Sequence, residues 1–325
     1  MSKVRGKNVD IAGLAQGVLS GDRRSIARMI SIAENSLETA HEQMEPVFSK
    51  TGQASRIGIT GPPGSGKSTL VDALTSLLRK KKLTVGIVAI DPTSPFTGGA
   101  LLGDRIRMQG IGLDPDVFIR SMATRGSLGG LCAAAGDAAD ILDASGKDIV
   151  ITETVGVGQS EVEIARVADT TLVVLCPEAG DAVQTMKAGL MEIADIFVIN
   201  KADKESSARL TVDIRGMIEL KTYDKADWKP PVVETSATQG TGMEKLYELI
   251  ENHRKYLEHD NRLHNKRVSS AVRKIQDIVI SQVEKKAWRE NQEEYIRQLG
   301  AKVVNGEMTP YAAAGIVFEH IKSNS

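Results

Sequence analysis

The sequence is short of the residues that several kinds of protein need. It has two cysteines, Cys132 in a helical stretch and Cys176 at the end of an apolar strand. That excludes a disulfide-stapled scaffold and suits a reducing cytosol. Aromatics make up 4% of the chain, so the core must be aliphatic. The five histidines, His41, His253, His259, His264 and His320, are scattered without metal-ligand spacing. The formal net charge is -1, which disfavours a globally basic nucleic-acid binder. No apolar run approaches the roughly 18 residues of a membrane span. The first eight residues are polar and basic with no apolar run behind them, so no signal peptide is expected. Neither nucleic acid nor membrane is an expected partner, and a cytoplasmic location is expected.

What is present is a strand–helix alternation. The 325 residues suffice for one large α/β domain with helical additions, or for two domains. Residues 10–48 read as helical, broken at Ser20-Gly21-Asp22, with Asp22 as an N-cap. Thr51-Gly52-Gln53 is a polar linker. Apolar strands are predicted at 57–60, 85–90, 117–119, 149–152, 171–176, 196–200 and 232–235. With helices between most of them, they predict a mainly parallel sheet covered on both faces. Helical periodicity returns from Met243, with Asn305-Gly306 as a helix end and Thr309-Pro310 as a helix start. The expected organisation is an N-terminal helical extension (1–50), an α/β domain (51–257) and a C-terminal helical region (258–325). The basic run Arg79-Lys80-Lys81-Lys82 reads as a solvated last helical turn, favoured by the helix dipole.

The chemistry begins at Gly61-Pro62-Pro63-Gly64-Ser65-Gly66-Lys67-Ser68-Thr69, which contains G-x-x-x-x-G-K-S. A predicted strand precedes it. Leu70, Ala73, Leu74, Leu77 and Leu78 follow on one helical face, which is the context the motif requires. Glycines let successive N–H groups turn toward phosphate oxygens. The helix N-terminus adds partial positive charge. Lys67 supplies an ammonium for the β- and γ-phosphates, and Ser68 a hydroxyl for Mg²⁺.

The base is read from Asn200-Lys201-Ala202-Asp203, an N-K-x-D run after a late strand. A carboxylate at Asp203 accepts from the ring N–H and the exocyclic amine of guanine. Adenine has an acceptor at that ring position and no amine, so it is rejected. Lys201 lies along the base plane in this reading, and Asn200 ties the loop together. Ser236-Ala237-Thr238, after the next strand, is similar to a second guanine loop, in which a backbone N–H reaches the base. The expected ligands are GTP or GDP with Mg²⁺.

Two acids are predicted at carboxyl ends of strands, Asp91 and Glu153, where parallel sheets place ligands. Either can hold Mg²⁺ directly or through water. Glu153 opens E-x-x-G with Gly156, in place of the commoner D-x-x-G. The Gly/Pro/Ser/Thr-rich stretch after Asp91 leads to Asp104 and Arg105. Asp104 is either a nucleotide-state sensor or a helix cap. Gln159 either orients water or faces solvent.

Together these pieces resemble the MeaB/ArgK family of P-loop GTPases, chaperones of adenosylcobalamin-dependent acyl-CoA mutases. The resemblance rests on the phosphate loop, on Asp91-Pro92-Thr93-Ser94 with Gly103-Asp104-Arg105, on the run from Glu153 to Glu161, on residues 181–189 and on residues 200–203. It implies a SIMIBI-type GTPase fold and a homodimer held by the C-terminal helices. It also implies that Asp91, Asp104 and Glu153 serve Mg²⁺ and catalysis. Residues 178–189, with Lys187, would form a third switch that communicates with the mutase, and GTP hydrolysis would gate cofactor loading and protection. Two other readings compete. One is a nickel-insertion GTPase, which should carry a His-rich tail or Cys/His cluster. The other is an ATP-dependent kinase, which has no use for a guanine reader.

Overall fold

A computed structural model describes residues 10–35, 44–91, 111–123, 130–154, 156, 160–177, 189–224, 226–287 and 292–323. Its strands are β1 (Ser55–Thr60), β2 (Val85–Asp91), β3 (Val117–Ala123), β4 (Ile149–Glu153), β5 (Thr170–Leu175), β6 (Ile196–Ile199) and β7 (Val232–Glu234). They form one seven-stranded sheet in the order β3-β2-β4-β1-β5-β6-β7. Every neighbouring pair is parallel. All seven strands expected from the apolar runs are present. β1 starts earlier than its apolar run because backbone pairing continues through Ser55↔Ile149. β3 extends to Ala123 for the same reason, paired with Asp91 of β2. Cys176 and Asn200, expected inside strands, stand one residue beyond them.

The helices are α1 (Ile11–Leu19), α2 (Arg23–Asn35), α3 (Lys67–Lys80), α4 (Gly130–Ala144), α5 (Ser160–Glu163), α6 (Leu190–Ile193), α7 (Ser207–Glu219), α8 (Met243–Glu258), α9 (Arg262–Ala287), α10 (Gln292–Val304) and α11 (Pro310–Ser323). Successive side chains of a strand point to opposite faces, so each apolar strand feeds two cores. In β2, Val88 and Ile90 pack with α1, α2 and α4, while Ile87 packs with α3 and α8. In β6, Phe197 and Ile199 pack with α6 and α7, while Ile196 and Val198 join the α3/α8 side. Asp22 caps α2 as expected: Ser25 N donates to its Oδ2 at 2.9 Å.

The basic run at the end of α3 is not simply solvated. Arg79 donates to Asp114 Oδ2 at 2.9 Å and pairs with Asp116. It also donates to the Leu83 carbonyl at 2.7 Å, which closes the turn into β2. The guanidinium offers several donors in a fixed plane, so one side chain serves helix end, turn and neighbouring loop.

The chain divides into two compact units, Met1–Arg267 and Val268–Ser325. In the first, Arg267 secures the start of α9. Its Nη2 donates to Asp169 Oδ2 at 2.7 Å and to the Ala54 carbonyl at 2.9 Å. In the second, α10 and α11 pack together, with Leu299 buried and the Tyr295 and His320 rings 5.2 Å apart. Thr309 caps α11, accepting from Ala312 N at 3.2 Å.

Candidate functional site

A parallel sheet brings the carboxyl ends of its strands to one edge, and the candidate site is assembled there. β1 ends at Thr60 and α3 begins at Lys67, with the glycine loop between. Gly61 has φ 138°, and a Cβ there would overlap the Val174 carbonyl of β5. Only glycine lets the loop leave the strand so close to its neighbour. Gly66 is the N-cap of α3 and supplies no side-chain cap, so the first N–H groups of the helix keep no such partner. Ser65 is buried, and among the described residues its hydroxyl has no hydrogen-bond partner. Pro62 and Ser68 are half-buried; Pro63, Gly64 and Thr69 are exposed. Lys67 is buried, and its ammonium donates to the carbonyls of Gly61 at 2.8 Å and Pro62 at 3.0 Å. An open helix N-terminus, an orphaned hydroxyl and a folded-back ammonium fit a triphosphate.

Beside this cradle, Ser68 Oγ donates to Glu153 Oε1 at 2.6 Å. Glu153 is buried at the end of β4, level with Ile59 of β1. Asp91 closes β2 on the same edge. These donors are all oxygens, a hard set that fits Mg²⁺. Thr154 Oγ1 donates to Thr60 Oγ1 at 3.0 Å and its backbone N–H to the Ile59 carbonyl at 3.1 Å. This carries the chain after β4 across the mouth of β1. Gly156 follows with φ 94°; a Cβ there would stand 2.5 Å from Lys67 Nζ and 2.8 Å from the Gly61 carbonyl oxygen. Asp104, Gln159 and Lys187 lie outside the described residues.

Asn200 joins this edge to the next loops. Its Nδ2 donates to the Ser65 carbonyl at 3.0 Å. Its Oδ1 accepts from Thr235 Oγ1 at 3.3 Å and from Ala237 N at 3.2 Å. The Ala237 N–H therefore faces Asn200, because a buried amide oxygen needs a donor. Lys201 takes a left-handed φ of 58°, which turns the loop after β6. Asp203 is exposed, and its Oδ1 accepts from Ser236 Oγ at 2.8 Å. That bond, more than any other contact, holds the Asp203 carboxyl below its usual range. Thr238 is exposed at the far side of the loop.

Two participants were not singled out from sequence. The Cys176 thiol lies 3.7 Å from the Gly64 carbonyl oxygen, so the residue that follows β5 also contacts the phosphate loop. Its place directly after an apolar strand was the available signal. The other is Glu161, buried on α5, where burial pushes its carboxyl upward against the weaker opposing pull of the Lys67 ammonium. It closes the run from Glu153 to Glu161 on which the family resemblance rests, and that run gave it no role of its own.

The likeness to known proteins extends along most of the chain. The family model described as methylmalonyl Co-A mutase-associated GTPase MeaB matches residues 26–292. A putative GTPase of Pyrococcus abyssi is 50% identical, covering 95% of this chain and 96% of its own length. GTPase ArgK of Escherichia coli K12 is 33% identical, covering 93% and 94%. The crystal structure of an LAO/AO transport system kinase superposes with a TM-score of 0.74 at 26% identity, covering 98% of this chain and 99% of that one. The fold is thus that of the SIMIBI-type P-loop GTPases, and the chain is a GTPase. It belongs to the methylmalonyl-CoA mutase-associated GTPase MeaB family.

Proposed function

We propose that residues 61–69 hold the phosphates of GTP and that Asn200, Lys201 and Asp203, with residues 236–238, hold guanine. The observation that carries this reading is the placement of Asn200, whose one side chain bonds both the phosphate loop and the loop after β7. Ser68, Asp91, Asp104 and Glu153 would hold Mg²⁺, which when bound neutralises phosphate oxygens and orients the β- and γ-groups. Lys67 would move from the Gly61 and Pro62 carbonyls to the phosphates. There, with backbone N–H groups, it stabilises charge developing as water attacks the γ-phosphate in line. No arginine finger is assigned, so intrinsic turnover should be slow.

The family's description supports a mutase partner. In this reading GTP hydrolysis, in the cytoplasm, gates cofactor loading into an adenosylcobalamin-dependent acyl-CoA mutase and protects it. The stretch 178–189, with Lys187, relays the nucleotide state. A homodimer built on the C-terminal region is supported by Val268, Val272, Ile275, Val279 and Val283, all exposed. The first four follow the 4-3-4 spacing of a coiled-coil seam, and Val283 continues the same helix face one turn further on.

The test is co-elution and GTPase stimulation against a panel of such mutases. Binding of one with accelerated turnover is expected; no co-elution and no acceleration across the panel would sink the mutase reading. Melting assays with GDP and ADP address the kinase alternative, where stronger stabilisation by ADP would replace the guanine reading. Stoichiometric Ni²⁺ or Zn²⁺ binding would restore the nickel-insertion reading.

A further inference from the structure

An anion cradle works only while its N–H groups, and not its carbonyl oxygens, face the ligand. Three consecutive carbonyls of the phosphate loop are tied by donors of the protein. Cys176 Sγ lies 3.7 Å from the Gly64 oxygen. Asn200 Nδ2 donates to the Ser65 oxygen at 3.0 Å. Leu70 N donates to the Gly66 oxygen at 2.9 Å, as the first turn of α3 requires.

The Gly64 carbonyl is the one of the three that its own backbone does not fix. Gly64 has φ 77°, and among the described residues a Cβ there would meet nothing within 4 Å. Glycine in open space turns its peptide plane readily. At its other end this peptide is held by Ser65 N, which donates to the Pro62 carbonyl over a long 3.3 Å. The Pro62 oxygen also accepts from the Lys67 ammonium at 3.0 Å. Two cradle donors thus converge on one oxygen, which phosphate oxygens would replace.

The sheet sets Cys176 at this place. β5 pairs with β1 in parallel, with Thr60 level with Val173. The phosphate loop then leaves β1 across the end of β5, so close that a Cβ on Gly61 would overlap the Val174 carbonyl. The next carbonyl, that of Leu175, accepts from Asn200 N at 2.8 Å. Cys176 follows, 3% exposed, so its thiol proton is shut off from water and has the Gly64 carbonyl in reach.

We propose that Cys176 is a positioning residue for nucleotide binding: its thiol donates to the Gly64 carbonyl and fixes the Gly64–Ser65 peptide. The C=O and N–H of a trans peptide point in opposite directions. Holding the Gly64 oxygen at the thiol therefore keeps the Ser65 N–H on the cradle side, ready to pass from the Pro62 oxygen to a phosphate. A turned peptide would instead set a carbonyl oxygen against phosphate oxygens. The thiol touches no nucleotide, and no bond is made or broken. The proposal rests on the assignment of residues 61–69 as the phosphate cradle.

The competing role for a buried cysteine is that of a small apolar filler. The two roles predict opposite orders of affinity. GDP is titrated into the full-length protein as wild type, Cys176→Val, Cys176→Ser and Lys67→Ala, and each nucleotide-free form is melted. Valine fills the space but cannot donate, so Cys176→Val should bind GDP about three- to fivefold more weakly. Serine is the stronger donor, so Cys176→Ser should bind at least as tightly as wild type, whatever its melting temperature. Wild-type affinity in Cys176→Val overturns the proposal. So does a loss in Cys176→Ser equal to that in Cys176→Val, because packing then decides. If Cys176→Val does not fold, Cys176→Ala takes its place: it also lacks the donor, and wild-type affinity there overturns the proposal equally. Lys67→Ala separates the two claims. Wild-type GDP affinity there overturns the cradle itself. Lost affinity there, with Cys176→Val unchanged, overturns only the role of Cys176.

Discussion

Asn200 donates its side-chain amide to the Ser65 carbonyl, 3.0 Å away and 135 residues earlier in the chain. The same amide accepts from Ala237 N, 37 residues later. One buried side chain therefore sets the distance between the phosphate loop and two loops at the far side of the edge.

Replacing it tests that coupling. Asn200→Ala leaves the Ser65 carbonyl, the Thr235 hydroxyl and the Ala237 N–H without this partner. Each such loss in a buried place costs about 1–3 kcal/mol. We expect a lower melting temperature and a GDP affinity reduced by roughly tenfold or more. Melting curves and GDP titration within error of wild type would remove Asn200 from the site.

Asp203 offers a sharper chemical test, because its role is one of hydrogen-bond polarity. Its carboxylate is exposed and oriented by Ser236. Asp203→Asn replaces an acceptor with a donor where guanine presents N–H groups. GTP affinity should fall by about a hundredfold or more, while xanthosine triphosphate, with a carbonyl in place of the amine, should gain. Competition titrations of the two nucleotides decide it, and an unchanged preference would mean that Asp203 does not touch the base.

Gly156 has φ 94° and no room for a side chain. Gly156→Ala must strain the backbone by about 1–2 kcal/mol and press a methyl group on Lys67 Nζ. GTP turnover should drop by roughly tenfold or more. Steady-state phosphate release is the measurement; wild-type turnover would show that this backbone moves away from Lys67 during the reaction.

His253 gives the stability a pH dependence remote from the nucleotide. It is buried, with Nδ1 2.9 Å from Thr170 Oγ1 and Nε2 3.3 Å from Asp195 Oδ1. A carboxylate only accepts, so the ring proton is assigned to Nε2 and Nδ1 accepts from the hydroxyl. Burial outweighs the pull of Asp195 and lowers the ring from 6.5 to about 4. Between those values the unfolded chain binds the extra proton, so stability is whole above pH 6.5 and declines as pH falls toward 4. The total lost is about 3 kcal/mol. Urea unfolding across that range should be less pH-dependent in His253→Gln than in wild type. Identical slopes would assign the decline to other groups.

The fold was legible because its signals are local. Apolar runs bounded by turn residues marked all seven strands, and the spacing of Leu70, Leu74, Leu77 and Leu78 marked the helix behind the phosphate loop. The phosphate loop and N-K-x-D run were legible for a related reason: each packs its chemistry into a few consecutive residues. Sequence also misjudged by being local. It left Arg79 as one charge in a solvated run, whereas the tertiary fold brings Asp114 and Asp116 within its reach. It carried no sign that Ser68 would lie 2.6 Å from Glu153, that Cys176 would touch the phosphate loop, or that Glu161 Oε1 would be enclosed without a donor among the described residues. Those relationships depend on strand order. β4 lies between β2 and β1, and β5 on the other side of β1, so segments far apart in the chain converge on one edge. The amino-acid order alone thus determined the strands, the helices and the two nucleotide-loop motifs. Only the packed sheet decided which acid meets the serine of the cradle and which carbonyls hold its lysine, because burial and the partners of a charge are properties of neighbours in space.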